Sequence, residues 1–372
     1  MGTYAKTGVE QTLVENWNGT TWTIATSPNS GTGSNILTGV ACTSSTSCIA
    51  VGYYFNISSI AQTLVESWNG TAWTISTSPN QSSSANSLAG VSCTSSTACT
   101  AVGVSVSPTS IAQTLIERWN GTAWSISSSP NPSGTSNELN GVKCTSSTGC
   151  IAVGDYYNAS NVDQTLVEGW NGSTWAVVAS PDQGTMQNYL GGIACASATS
   201  CVAVGFFRNP SSVPQTLVES WNGSTWAIVA SPDQGSGSNL LSSVACTSST
   251  SCTAVGAYTS GGSSQTLVET GPPSSAGTSI SVTAPSTGAS WARGSSQAIT
   301  WSSTGSPGAN VKIQLLKSGV VAKTITKSLS TSAGTFTWKV PGTLSPATSY
   351  QIKIISTTNA KVFSISGKFS IT

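Results

Sequence analysis

The feature that most constrains the fold is a short block of sequence that recurs at nearly constant spacing. The block reads QTLVE, or QTLIE once, and consecutive copies are 51, 51, 51, 51 and 50 residues apart. The six copies begin at Gln11, Gln62, Gln113, Gln164, Gln215 and Gln265. A repeat of this length that contains several short strands is typical of a β-propeller, in which each unit buries its apolar surface against the next.

Each period contains four predicted strands, which we call positions a, b, c and d. In one complete period they cover residues 37–42, 48–54, 62–68 and 72–77, and turn residues separate them. The apolar residues alternate, and none of these segments has apolar residues at helical spacing. The sequence therefore predicts an all-β chain built from four-stranded blades of about 51 residues.

The turn between positions c and d predicts the register of that hairpin. Asn-Gly favours a two-residue type I′ turn, because both central residues of that turn need a positive φ. At Asn18 and Gly19 this turn would place Trp17 opposite Thr20 and Glu15 opposite Trp22. Since side chains alternate between faces, the Leu and Trp residues of the hairpin share one face with the glutamate.

The strand count predicts a five-bladed propeller over residues 1–270 with one strand left over. Positions a, b and d occur five times, whereas position c occurs six times. We expect residues 11–26 to complete the fifth blade with residues 241–258. An alternative is that the last copy of c takes its place in its own blade and residues 11–26 form an arm. If it is spare, this copy is a candidate assembly strand, since an unpaired strand readily adds to another sheet: Gln265, Thr266, Leu267, Val268 and Glu269.

The ten cysteines form five pairs with a constant gap of five residues. A short hairpin loop brings its flanking residues to a distance that suits a disulfide. The alternative is zinc, which usually takes four converging ligands at shorter spacing and often includes histidine, which this chain lacks. We predict one disulfide in each blade and an oxidising compartment. The predicted pairs are Cys42–Cys48, Cys93–Cys99, Cys144–Cys150, Cys195–Cys201 and Cys246–Cys252.

Eight asparagines lie in N-x-S/T triplets and are candidate glycosylation sites. Five of them belong to the W-N-G turn, whose own chemistry explains the asparagine without an attached sugar. The eight are Asn18, Asn56, Asn69, Asn80, Asn120, Asn158, Asn171 and Asn222.

A second domain follows the repeats. Residues 271–277 are rich in Pro, Gly and Ser and predict a linker, and residues 278–372 contain seven short alternating segments that predict an immunoglobulin-like β-sandwich. The charge divides at the same place. Four basic and twelve acidic residues give the first part a net charge of −8, and nine basic residues with no acidic one give the second part +9. Such asymmetry bears on partners and assembly.

Two resemblances rest on these motifs. The block V-x-C-T-S … C-x-A-V-G … T-L-V-E-x-W-N-G-T-x-W … S-P-N over residues 2–270 resembles tandem repeats of secreted bacterial proteins of Chloroflexi and actinobacterial type. The motifs V-T-A-P, I-T-W and F-T-W-K-V-P within residues 278–372 resemble the Ser/Thr-rich surface-anchored Ig-like domain named after fungal cell-wall synthesis proteins. Both resemblances imply an extracellular, adhesive or structural role, and neither supplies a catalytic residue.

Three functions are compatible with these patterns. A glycoside hydrolase would need two carboxylates about 5 to 9 Å apart. The glutamate of each QTLVE block is expected to be structural, and the acids outside the repeat pattern form no obvious catalytic set: Asp155, Asp163, Asp182 and Asp233. A multivalent lectin-like adhesin would use five equivalent weak sites. We favour an extracellular structural protein that joins copies of itself head to tail through its two domains, without catalysis, cofactor or metal.

The charge and hydropathy of the sequence disfavour several kinds of partner. Charged residues are only 7% of the chain, and the acidic repeats carry no basic surface for nucleic acid. No apolar run reaches the roughly 18 residues that a membrane-spanning helix requires. The expected partners are therefore other copies of the chain, with cell-surface glycans as the alternative, and the expected location is extracellular or at the cell surface.

Overall fold

The computed structural model describes residues 1–132, 134–271, 279–304, 308, 310–357 and 362–372. The chain divides into two compact units, Met1–Pro273 and Ser274–Thr372, which we call the repeat unit and the Ig-like unit. Both consist of β-strands, which confirms the all-β prediction. Most of the predicted linker, residues 272–277, lies outside the described residues. No described helix has the length and apolar character needed to cross a membrane.

The repeat unit contains six antiparallel sheets in sequence order. Sheets 2 to 5 each contain positions a, b, c and d, as predicted. Sheet 1 contains β1 (Gly2–Lys6), β2 (Val9–Trp17) and β3 (Trp22–Ala25), sheet 2 contains β4 (Asn35–Ser44), β5 (Ser47–Phe55), β6 (Ala61–Trp68) and β7 (Trp73–Ser76), and sheet 3 contains β8 (Asn86–Ser95), β9 (Ala98–Val106), β10 (Ala112–Trp119) and β11 (Trp124–Ile126). Sheet 4 contains β12 (Asn137–Ser146), β13 (Gly149–Tyr157), β14 (Asp163–Trp170) and β15 (Trp175–Val177), sheet 5 contains β16 (Asn188–Ser197), β17 (Ser200–Arg208), β18 (Pro214–Trp221) and β19 (Trp226–Val229), and sheet 6 contains β20 (Asn239–Ser248), β21 (Ser251–Ser260) and β22 (Ser263–Gly271).

The first and last sheets differ from the predicted closing blade. Residues 11–26 do not join residues 241–258; β2 pairs with β1 and β3, and β21 pairs with β20 and β22. Short turns at Thr7-Gly8 and Gly261-Gly262 join the partners, and a local hairpin costs far less closure entropy than pairing across more than 200 residues. Within residues 1–132 and 134–271, no strand of sheet 1 packs extensively against sheet 6.

The predicted two-residue turn between positions c and d is also wrong. Trp17 pairs with Trp22 instead of Thr20, so the loop has four residues. The side-chain oxygen of Asn18 accepts hydrogen bonds from the backbone N–H groups of Thr20 and Thr21, and in this turn only Gly19 has a positive φ. The register shifts by two residues, which leaves the predicted assignment of side chains to faces intact.

One disulfide joins positions a and b in each of sheets 2 to 6, as predicted from the spacing. The Cα atoms of each pair are 3.9 to 4.0 Å apart, and the cysteines pair directly across the strands. None of the ten cysteines is free.

Each disulfide closes a short loop, so we expect reduction to destabilise the repeat unit without unfolding it. The chain-entropy model gives about 2 kcal/mol for a loop of this size. Thermal melts followed by circular dichroism, with and without reductant, measure the effect. A repeat unit that loses its β spectrum at room temperature on reduction would contradict the expectation.

The Ig-like unit is a sandwich of two sheets. One contains β23 (Ser279–Ala284), β25 (Ser296–Thr304) and β28 (Thr335–Lys339), and the other contains β24 (Ser290–Trp291), β26 (Asn310–Lys317), β27 (Val320–Ser330), β29 (Ala347–Ser356), β30 (Phe363–Ile365) and β31 (Phe369–Ile371). A 3₁₀ turn, Thr331–Ala333, precedes β28. Trp291, Trp301 and Trp338 lie in the core between the sheets, as the sequence predicts.

Candidate functional site

The sheets of the repeat unit pack in series through two different faces. The leading face carries the Leu of positions a and c, the Cys and Ala of position b, and the Trp of position d. The trailing face carries the Val or Ile residues of positions b and c. In one such interface, Ile49, Val51 and Val65 of sheet 2 pack against the leading face of sheet 3, which includes Leu115 and Trp124. The same arrangement recurs between the other consecutive sheets.

A partly buried hydrogen bond crosses each of five interfaces. The serine of each S-P-N or S-P-D segment donates to the glutamate of the next QTLVE block at 2.5 to 2.7 Å. The pairs are Ser27–Glu66, Ser78–Glu117, Ser129–Glu168, Ser180–Glu219 and Ser231–Glu269. The sequence predicts the structural role of the glutamate but not its partner. The one available signal is the constant separation of 38 or 39 residues between serine and glutamate.

Burial dominates the electrostatics of these glutamates. It raises the pKa of Glu66, Glu117 and Glu168 to about 7 and that of Glu219 to about 8, and the serine hydrogen bond lowers each only in part. One oxygen of each accepts from serine, and the other finds no hydrogen-bond partner among the described residues. A buried carboxyl with one unpartnered oxygen favours the neutral, protonated form.

The leading face of sheet 1 is open. Trp22 is 64% exposed, whereas its four equivalents in sheets 2 to 5 are 6 to 7% exposed. The ring of its neighbour Trp17 contacts it in a tilted arrangement, with ring centroids 5.5 Å apart, and Trp17 is itself 52% exposed. Glu15, unlike the buried Glu66, is also exposed. Sheet 1 has no described strand at position a, so this open face consists of the side chains of positions c and d, which line a buried interface elsewhere in the unit.

The trailing face of sheet 6 is open in the same way. Val268 is 56% exposed and Val255 is 41% exposed, whereas their counterparts in sheet 2, Val65 and Val51, are fully buried. The two valines are cross-strand partners, with Val255 in β21 and Val268 in β22. In sheets 1 to 5 the following sheet covers this apolar face. Sheet 6 is the last of the series, and its trailing face is exposed.

The candidate assembly strand lies at the outer edge of sheet 6. It belongs to β22, which pairs with β21 on one side and is the last strand of the sheet. This agrees with one part of the alternative stated above, in which the last copy of c takes its place in its own blade. The other part is wrong, because residues 11–26 form strands of sheet 1 and not an arm. Leu267 points into the core, and Gln265, Thr266 and Val268 are exposed.

Seven of the eight candidate glycosylation sites lie in c–d or b–c turns, and Asn80 lies in the S-P-N segment that follows position d. In the c–d turns the side-chain oxygen of each asparagine accepts backbone hydrogen bonds, as at Asn69, and all five of these residues are exposed. Asn56 and Asn158 accept similar bonds in b–c turns, and Asn80 accepts one from Thr63. Turn chemistry accounts for seven of the eight positions and the bond from Thr63 accounts for Asn80, and glycosylation stays a prediction.

The acids outside the repeat pattern divide into two groups. Asp182 and Asp233 accept backbone hydrogen bonds from Thr165 and Thr216, as the asparagine of S-P-N does elsewhere, so they are structural. Asp155 instead lies opposite a glutamate that the sequence analysis missed, Glu138.

Asp155 and Glu138 form a small acidic cluster in sheet 4 with Asp163. Burial, then the charges of Glu138 and Asp163, raise the pKa of Asp155 to about 7. Asn140 donates to Asp155 at 3.2 Å, and Gln187, which immediately precedes sheet 5, donates to Asp163. In the part of the chain that the structure describes, no group of three or more Asp, Glu, His or Cys side chains is placed to hold a metal ion.

A cavity of about 210 Å³ lies between sheets 4 and 5. Apolar atoms line most of it, including the rings of Trp170, Trp221 and Trp226, and Lys143 lies at its wall. Position c of sheet 4 has Gly169 where sheets 2, 3 and 5 have Ser67, Arg118 and Ser220, so the smallest residue of this set borders the cavity.

Comparison with known proteins identifies one part of the chain. Residues 284–371 match the family model of the Kre9/KNH-like N-terminal Ig-like domain. No curated protein has a matching sequence. A solved structure described as "YCF48 bound to D1 peptide" aligns with 62% of this chain and 66% of its own, just under two thirds, at 9% identity and a TM-score of 0.35. The chain therefore carries tandem four-stranded β-sheet repeats with one disulfide each, followed by a Kre9/KNH-like Ig-like domain.

Proposed function

We propose that the protein is an extracellular structural protein of the cell surface, in which copies join head to tail through the repeat unit of one and the Ig-like unit of the next. A Kre9/KNH-like domain suggests a role related to the cell wall or surface. The five disulfides suit an oxidising, extracellular compartment. We propose no catalytic activity, because the repeated glutamates are bonded within sheet interfaces.

The charge distribution is the observation that carries this proposal. The repeat unit has a net charge of −8 and the Ig-like unit has +9. Lys323 and Lys327 are exposed on β27, the edge strand of the larger sheet in the Ig-like unit. Opposite charges on the two units of one chain steer the Ig-like unit of one copy towards the repeat unit of another, and salt weakens that attraction.

Charge reversal on the edge strand tests this proposal. We expect the full chain to associate at low salt and the double variant Lys323→Glu/Lys327→Glu to associate less under the same conditions. The matched control, Lys323→Arg/Lys327→Arg, keeps the charge and should behave as the unchanged protein. Light scattering at low ionic strength gives the masses. Equal masses for the charge-reversed and control variants would contradict the proposal.

Carbohydrate binding is the second candidate function. The cavity between sheets 4 and 5 favours it, since the rings of Trp170, Trp221 and Trp226 line it and aromatic rings offer flat apolar surfaces for ligands. Gly169→Ser gives sheet 4 the serine found at this position in sheets 2 and 5 and narrows the cavity. If the unchanged chain binds glycans on an array and Gly169→Ser does not, the result supports this function. If both bind equally, this cavity is excluded as the binding site.

A further inference from the structure

The internal interfaces of the repeat unit define what fits its two open faces. Each trailing face from sheet 1 to sheet 5 is covered by the leading face of the following sheet. The contacting side chains are of the same types each time: valine or isoleucine against leucine, alanine, cysteine and, in sheets 2 to 5, tryptophan. The complement of an exposed trailing face is therefore a leading face.

We propose that the leading face of sheet 1 in one copy packs on the trailing face of sheet 6 in a second copy, which continues the sheet series from chain to chain. This inference rests on the proposed self-association, and it adds an apolar contact between copies to the proposed charge attraction. Trp22 and Leu13 of one copy would meet Val255 and Val268 of the next.

The partner is a second copy, since the one chain displays both halves of the interface unoccupied. Trp22 is 64% exposed and Val268 is 56% exposed in the same molecule. The trailing face of sheet 1 is covered by sheet 2, as in the other interfaces. Val14 on that face packs against sheet 2 and is only 1% exposed. The contact joins two different surfaces, so it is heterologous and extends into a linear assembly unless its geometry closes a ring.

A pair of complementary variants tests this contact. Trp22→Ser damages only the leading face of sheet 1, and Val268→Asp damages only the trailing face of sheet 6. Both residues are more than half exposed, so neither change removes a buried core side chain. Each variant alone should associate at least ~10-fold more weakly than the unchanged chain, as expected when an interface loses an anchor residue. Mixed in equal amounts at about 1 M salt, where the charge attraction is screened, they should form heterodimers and nothing larger, because each supplies one intact face.

Salt separates this contact from the proposed charge attraction. At about 1 M salt, where the Debye length is about 3 Å, charge attraction is screened and apolar packing persists. We therefore expect sedimentation at high salt to show association of the unchanged chain. The control variant, Ile57→Asp, replaces an apolar residue that is 95% exposed in a b–c turn, and it should associate normally.

Three outcomes would overturn the inference. The first is unchanged association of Trp22→Ser at high salt. The second is a mixture of the two variants that stays monomeric. The third is a monomeric chain in which Trp17 and Trp22 are shielded from a soluble quencher, which would mean that the chain closes its own two faces. Association at low salt that charge reversal abolishes and Trp22→Ser leaves unchanged would retain the proposed function and reject this contact.

Discussion

Replacing Gly103 by alanine is expected to destabilise the repeat unit by roughly 3 kcal/mol or more, within the range for overpacking a buried site. Gly103 is the glycine of A-V-G in position b of sheet 3. A Cβ there would lie 2.0 Å from the carbonyl oxygen of Ser87 and 2.8 Å from the Cα of Leu88. Both neighbours are backbone of the adjacent strand, which also has a register shift after Leu88, so the sheet itself would have to move. Denaturant unfolding measures the loss.

The first sheet offers a matched control for this substitution. Gly2 occupies the same position of the repeat, because it pairs with Leu13 as Gly103 pairs with Leu115. Sheet 1 has no strand at position a, and a Cβ on Gly2 would meet nothing within 4 Å. We expect Gly2→Ala to leave stability unchanged. Equal stability losses for the two variants would show that strand a does not approach position b as closely as the structure has it.

The second large effect is a fall in stability as pH rises. Four buried glutamates have a pKa raised from the ordinary 4.5 to about 7 or 8 in the folded state. At pH values between 4.5 and these raised pKa values, the folded chain binds more protons than the unfolded chain. The stabilising contribution of the four glutamates is therefore complete below pH 4.5 and is lost as pH rises through 7 to 8. Since one pKa unit corresponds to about 1.4 kcal/mol, we expect the free energy of unfolding to fall by several kcal/mol between pH 5 and pH 8.

Glutamine substitution identifies the groups responsible. Glu117→Gln keeps the shape of the side chain and removes its titration, so the variant should lose less stability than the unchanged protein between pH 5 and pH 8. Glu15→Gln is the control, because Glu15 occupies the same position of the repeat but is exposed. Chemical denaturation at several pH values measures the slopes. An identical slope for Glu117→Gln and the unchanged protein would contradict the assignment.

Local sequence patterns predict the strands, the disulfides and the division into two units. Alternation of apolar residues and the constant cysteine gap depend on neighbours within one hairpin, so a single repeat contains the information. The four-residue turn at Asn18 was missed because it depends on side-chain hydrogen bonds to Thr20 and Thr21, which the Asn-Gly dipeptide does not reveal.

The contacts between sheets are harder to predict from the sequence. The hydrogen bond from Ser78 to Glu117 joins residues 39 positions apart in consecutive sheets, and nothing local to either residue indicates it. The pairing of Glu138 with Asp155 likewise depends on the strand register. The open faces of sheets 1 and 6 become visible only when the burial of equivalent residues is compared, because Trp22 and Trp73 have nearly the same local sequence.

Negative-stain electron microscopy of the full chain tests the central claim, self-assembly, most directly. At high protein concentration and low salt, the account predicts linear particles in which single copies repeat at a constant interval, and these should shorten on dilution. Separate particles with the dimensions of one chain, at every concentration and salt tested, would contradict the claim.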